Sequence, residues 1–113
     1  MEYDVLVIAG TTESRQVIEK LLGENPKERI LASVATELGK EMLLEYGIDI
    51  HVGRLDYDGF LTLFKENPCG KIMDASHPFA RIVSETVKKA AQTAGISYER
   101  YERRNLQYSY EGL

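Results

Sequence analysis

Apolar residues along this chain fall into two alternating patterns, short continuous runs and longer stripes with helical spacing. Val5-Leu6-Val7-Ile8-Ala9 is a continuous run of strand length, as expected of a strand buried on both faces. The stretch 13–22 then places Val17, Ile18, Leu21 and Leu22 on one helical stripe, which Gly23 and Asn25-Pro26 are expected to stop. Residues 30–35 predict a second strand, and 37–46 a second helix that buries Leu38 and Met42 and ends at Gly47. A third strand follows over 48–52. Asp56 is placed to cap a third helix, which presents Phe60, Leu63 and Phe64 to the sheet and stops at Asn67-Pro68. Ile72 and Met73 lie in a short fourth strand. The fourth helix has the clearest stripe, Ile82, Val83, Thr86, Val87, Ala90, Ala91 and Ala94, with Gly95 as its C-terminal cap. Residues 96–101 predict a fifth strand.

Strands that alternate with helices imply a parallel sheet with right-handed crossovers. The expected fold is therefore α/β, a doubly wound (Rossmann-like) five-stranded parallel sheet in three layers. The run from Val5 is the most uniformly apolar and so belongs at the centre, which predicts the strand order 3-2-1-4-5. Residues 1–104 read as one nucleotide-binding α/β domain. Residues 105–113 have no partner element and no clear period, and read as a linker or the start of a second domain.

Composition narrows the function. A chain of 113 residues has the size of one domain. Its 14 Lys and Arg against 18 Asp and Glu leave a net charge of -4, so there is no global basic field for nucleic acid. A local group of amides and arginines still suits an anionic ligand. The lone Cys69 excludes an internal disulfide framework and a multi-cysteine zinc site, and it fits a reducing cytoplasm. Met1-Glu2-Tyr3-Asp4 is acidic and the apolar run after it is short, so no secretory leader is expected. No stretch approaches the roughly 20 apolar residues of a membrane span. The expectation is a cytoplasmic protein with neither nucleic acid nor membrane as partner.

Candidate chemistry gathers at four junctions, each of which follows an apolar run and opens a helical pattern: Ala9-Gly10-Thr11-Thr12-Glu13, Val34-Ala35-Thr36-Glu37, Val52-Gly53-Arg54-Leu55-Asp56 and Asp74-Ala75-Ser76-His77-Pro78-Phe79-Ala80. In a parallel sheet all four lie outside the carboxyl ends of the strands, where such folds bind ligands. The first suits a phosphate, because Gly10 permits close approach and the helix that follows offers free amides. Equally, Thr11 or Thr12 serves as an ordinary N-cap, and a dinucleotide fingerprint would want three glycines where only Gly10 is present. At the second junction Ser33 and Thr36 supply hydroxyls, while Glu37 is either a ribose ligand or a first-turn acid behind the cap Thr36. Arg54 offers a fixed fork for phosphate or carboxylate, or pairs with Asp56 or Asp58 on the surface. His77, before Pro78, is a proton donor, a hydrogen-bond donor to a ligand or a cap. No second histidine or cysteine at ligand spacing supports a metal, and His51 lies within a predicted strand.

Gly10-Thr11-Thr12-Glu13-Ser14-Arg15, Ser33-Val34-Ala35-Thr36, Val52-Gly53-Arg54-Leu55-Asp56, the Asp74 to Ala80 segment and Tyr101-Glu102-Arg103 together resemble, in order and spacing, the precorrin-6A reductase family, its cobalt-precorrin-6A form included. The resemblance runs along essentially the whole chain, and the combination is distinctive where its first piece alone is not. It implies NADPH-dependent reduction of one double bond of a corrin macrocycle on the way to cobalamin. Ala9-Gly10 stands where the family often has Gly-Gly, and Arg104 follows Glu102-Arg103 where proline is common. Members usually carry a second α/β domain that closes over cofactor and substrate. The chain is thus expected to be the N-terminal cofactor-binding half, inactive by itself and completed by a C-terminal domain or by homo-oligomerisation.

On this resemblance Gly10, Thr11 and Thr12 would meet the pyrophosphate, Ser33 and Thr36 the adenosine ribose or its phosphate, and Gly53, Arg54 and Leu55 the adenosine side. Ser76, His77, Pro78 and Phe79 would stand nearest nicotinamide and substrate, with His77 the candidate general acid. Arg54, Arg81, Arg103 and Arg104 would face the macrocycle's carboxylates. Ser33 and Thr36 favour NADPH over NADH. The alternative is a stand-alone nucleotide-binding module without catalysis. A signalling receiver would need an acidic pair after the first strand, where this chain has Ala9-Gly10-Thr11.

Overall fold

The computed structural model describes residues 3–9, 12–76 and 81–101. Its strands are β1 (Tyr3–Ile8), β2 (Ile30–Val34), β3 (Asp49–Val52), β4 (Cys69–Asp74) and β5 (Ser97–Arg100). Between them run α1 (Thr12–Glu24), α2 (Glu37–Leu43), α3 (Tyr57–Glu66) and α4 (Arg81–Ala94). The strands form one five-stranded sheet of order β3-β2-β1-β4-β5, and every pairing is parallel. β1 is central, as its unbroken apolar run predicts, because a strand covered on both faces has no polar side to show.

The two faces bury separate cores. Val5, Val7, Ala32 and Val34 pack with Val17 and Ile18 of α1 and Leu43 of α2. Leu6, Ile8, Leu31 and Ile72 pack with Phe60, Leu63 and Phe64 of α3 and Val87, Ala90 and Ala91 of α4. Alternation along each strand sorts its residues between these two layers. The chain runs outward from β1 to β3, then returns to the other side of β1 for β4. The sheet therefore switches direction between β1 and β4, and in such folds the crevice opens at that switch.

Helix ends follow local chemistry. Thr36 Oγ1 accepts from the Gly39 amide at 3.1 Å and Asp56 Oδ1 from the Gly59 amide at 2.8 Å, so both act as N-caps. Gly95, at φ +73°, ends α4 in the left-handed conformation that glycine adopts without strain.

Four expectations need correction. Gly23 lies inside α1, which runs on to Glu24, since one glycine lowers helix propensity without forbidding the helix. In α2 the residues turned to the sheet are Gly39 and Leu43, whereas Leu38 is 69% exposed and Met42 only half-buried. Gly39 sits so close to Val34 that a Cβ there would lie 3.1 Å from the Val34 side chain, and this contact fixes which face of α2 turns inward. A short 3₁₀ turn, Leu44–Tyr46, then finishes the stretch that the pattern assigned wholly to an α-helix. In α4, Ile82 is 80% and Val83 39% exposed, and Ala94 is also exposed. The stripe is buried only over Val87, Ala90 and Ala91, where the helix lies against the strands. β4 contains Ile72 and Met73 as expected, and its pairing reaches back to Cys69 against β1 and to Lys71 against β5.

Candidate active site crevice

Backbone hydrogen bonds carry the sheet past its strand ends and gather the loops. Ala9 N donates to Ser33 O at 2.8 Å, Gly53 N to Val34 O at 2.8 Å and Ala75 N to Ile8 O at 2.9 Å. The described parts of the four junctions therefore meet. They line a crevice of ≈ 750 Å³ with Ile8 and Ala9 from the first, Ser33 to Thr36 from the second, Gly53 to Asp56 from the third and Ser76 from the fourth. That volume lies within the roughly 300–1,000 Å³ typical of small-molecule sites. Phe60 and Val83 add apolar wall from α3 and α4.

Position decides which predicted residues share the crevice. Ser33, Thr36, Gly53, Arg54, Leu55 and Ser76 all line it. Gly53 has φ +138°, a turn geometry that a side chain would strain, and Arg54 follows it at the exposed edge of the crevice. Arg54 is exposed and, among the described residues, pairs with neither Asp56 nor Asp58. Asp56 is instead occupied as a helix cap. Glu37 is the exposed first residue of α2 and is not among the crevice residues, as expected of a first-turn acid. Thr12 and Arg81 open α1 and α4, and their side chains lie outside the described part. Gly10, Thr11, His77, Pro78, Phe79, Arg103 and Arg104 lie outside the described residues, as does the 105–113 segment. No group of three or more His, Cys, Asp or Glu able to hold a metal occurs among the described residues.

Behind Ser76 stands a polar cluster that the sequence reading missed. Asp74, fully buried at the end of β4, accepts from Tyr98 Oη at 2.5 Å, Ser76 Oγ at 2.7 Å and the Ser76 amide at 3.0 Å. Arg100 Nη1 lies 3.2 Å from Asp74 Oδ1 and donates to both Ser76 Oγ and Ser84 Oγ at 2.9 Å. Burial by itself would raise the Asp74 carboxyl. Hydrogen bonds from Tyr98, Ser76 and Ser84 outweigh it and hold the group below its ordinary 3.8. Burial first, and then the bond to Asp74, push the Tyr98 phenol up. The available signal was spacing: Tyr98 and Arg100, two apart on a strand, share a face, and Arg100 pairs in register with Asp74.

Known proteins share this chain's pattern. A family model described as precorrin-6x reductase CbiJ/CobK matches residues 4–112. The cobalt-precorrin-6A reductase of Salmonella typhimurium (strain LT2) is 37% identical over 102 residues, covering 90% of this chain and 38% of that protein. The cobalt-precorrin-6A reductase of Methanothermobacter thermautotrophicus is 35% identical, over 88% of this chain and 33% of its own length. The chain thus spans well under half the length of the curated relatives it matches. Among solved structures, CobK precorrin-6A reductase superposes with a TM-score of 0.74 at 24% identity, over 89% of this chain and 39% of that one. A saccharopine dehydrogenase from Saccharomyces cerevisiae gives a TM-score of 0.69 at 14% identity, over 93% and 23%. At these identities the two structures share the fold with this chain. The family match runs from within β1 to beyond β5 and takes in every junction at the crevice, so the chain belongs to the precorrin-6x reductase CbiJ/CobK family.

Proposed function

We propose that this chain is the cofactor-binding part of a cytoplasmic, NADPH-dependent reductase acting on one double bond of precorrin-6A or cobalt-precorrin-6A. The observation that carries this reading is the crevice at the β1/β4 switch, which brings Ser33, Thr36 and Arg54 to one side and Ser76 to the other. The family and the dehydrogenase-like fold support a nicotinamide dinucleotide there.

The donor set fits the phosphorylated dinucleotide. An NAD site commonly places a carboxylate after β2 to hold the ribose 2′-hydroxyl, whereas a 2′-phosphate takes an arginine nearby. Here the crevice presents hydroxyls from Ser33 and Thr36 and the guanidinium of Arg54, and Glu37 stays outside it. Thr36, Arg54 and Ser33 would hold the adenosine ribose phosphate, and Leu55 and Gly53 the adenosine side. Gly10, Thr11 and Thr12 would meet the pyrophosphate. When bound, NADPH supplies the hydride. The protein orients the reactants and excludes water. His77 is proposed to deliver the accompanying proton, with Pro78 and Phe79 beside it, and Arg81, Arg103 and Arg104 to meet the macrocycle's carboxylates.

Calorimetric titration tests the cofactor reading. NADPH is expected to bind more tightly than NADH, and Arg54→Ala to lose about tenfold in NADPH affinity with little change for NADH, as for loss of one charge-assisted contact. Equal affinities in the wild-type chain overturn the preference. Anaerobic NADPH oxidation with the precorrin substrate tests the activity: the 113-residue chain is expected to show no turnover alone, because it offers one wall of the site, and a longer chain carrying a second α/β domain to be active.

A further inference from the structure

The α4 side of the crevice is held from behind. Ser76 and Val83 line that side. A serine hydroxyl has one proton and two lone pairs. At Ser76 the proton goes to Asp74 Oδ1 at 2.7 Å, and the oxygen meets Arg100 Nη1 at 2.9 Å and Ser84 Oγ at 3.1 Å. The Ser76 amide donates to Asp74 Oδ1 at 3.0 Å, and its carbonyl accepts from Arg100 Nη2 at 3.0 Å. Its polar groups are thus committed inside the protein. Val83 is tied to the same cluster through its neighbour Ser84, whose hydroxyl accepts from Arg100 Nη1 at 2.9 Å.

On the reading that the crevice takes NADPH, we propose that Asp74, Arg100 and Ser84 are positioning residues that set its α4-side wall, with Ser76 a fixed surface rather than a ligand-binding hydroxyl. Asp74 and Arg100 end β4 and β5 in register, so their pairing spans the two strands, and Ser84 fastens the first turn of α4 to both. The end of β2 with Ser33, and the loops after β2 and β3 with Thr36 and Arg54, take no part in these bonds. A ligand that reaches across the crevice therefore depends on the cluster, and one confined to the β2/β3 side does not.

Two probes separate these cases: NADPH, and 2′,5′-ADP, which carries only the adenosine half with its 2′-phosphate. Both are titrated calorimetrically against the wild-type chain, Asp74→Asn and Ser84→Ala, with thermal unfolding followed in parallel. Asp74→Asn is expected to lose about tenfold in NADPH affinity while 2′,5′-ADP stays within about twofold, since a charge-assisted network is lost on one side only. Ser84→Ala removes one half-buried hydroxyl and is expected to show the same selective loss, about threefold, and it decides the matter if Asp74→Asn does not fold. Equal losses for the two probes indicate general damage and overturn the proposal, as does unchanged NADPH binding in folded variants. A wild-type chain that binds neither probe overturns the NADPH reading and this inference with it. Wild-type binding that the variants leave intact overturns the inference alone.

Discussion

Asp74→Asn removes one buried charge and keeps its shape. The carboxylate has zero exposure and four close partners: Tyr98 Oη, Ser76 Oγ, the Ser76 amide and Arg100 Nη1, at 2.5, 2.7, 3.0 and 3.2 Å. An amide in the same place keeps neutral versions of some of these bonds. Hydrogen bonds to a charged group are worth about 1.5–3 kcal/mol against roughly 0.5–1.5 for neutral ones, so each contact weakens by about 1 kcal/mol. The loss of the counter-charge to Arg100 overlaps with these, and breaking a buried pair typically costs about 3–5 kcal/mol in all. The Arg100 side chain is 22% exposed and can recover some solvation, which places the cost near the lower end, about 3 kcal/mol. For a domain of this size that lowers Tm by about 10–20 °C. The pH dependence has a definite sign. A carboxyl whose folded value lies below its ordinary 3.8 contributes stability that is complete above that value and is lost as pH falls through the folded one. The gap between wild type and Asp74→Asn should therefore be full at neutral pH and narrow in acid below the ordinary carboxylate range. Urea denaturation followed by circular dichroism across that range measures it. A gap under about 1 kcal/mol at neutral pH, or one that persists undiminished in acid, refutes the reasoning.

Two further outcomes follow from packing and backbone geometry. Leu6→Ala, at a side chain with zero exposure, should cost about 3–4 kcal/mol, whereas Leu38→Ala, 69% exposed, should stay within about 0.5 kcal/mol; similar losses at the two sites in chemical denaturation would show that α2 turns Leu38 inward after all. Gly95→Ala should cost about 1 kcal/mol from the left-handed φ of +73° alone, since nothing lies within 4 Å of the added Cβ; an unchanged denaturation midpoint would count against the αL cap.

The sequence by itself determined the fold's plan. An unbroken apolar run is compatible only with burial on both faces, so Val5 to Ile8 had to be central. Strand and helix patterns in strict alternation leave parallel pairing as the simple topology. Caps such as Thr36, Asp56 and Gly95 are local chemistry and were legible as such. The loops at the crevice were also legible, because their place follows from topology once the strands are parallel. Tertiary contacts decided the rest. Leu38 fits a helical stripe as well as Leu43 does, and only the approach of Gly39 to Val34 selects between them. Ile82 and Val83 belong to a stripe that runs past the end of the core it covers. The Asp74, Tyr98, Ser84 and Arg100 cluster draws its members from two strands and a helix spread over 27 positions, Asp74 to Arg100. Each of them reads locally as an ordinary polar residue. The Ser76 contacts are local, but only the pairing of β4 with β5 brings Tyr98 and Arg100 to the carboxylate, and only the packing of α4 brings Ser84 to Arg100, because hydrogen bonds act over a few ångströms of space and not over distance along the chain.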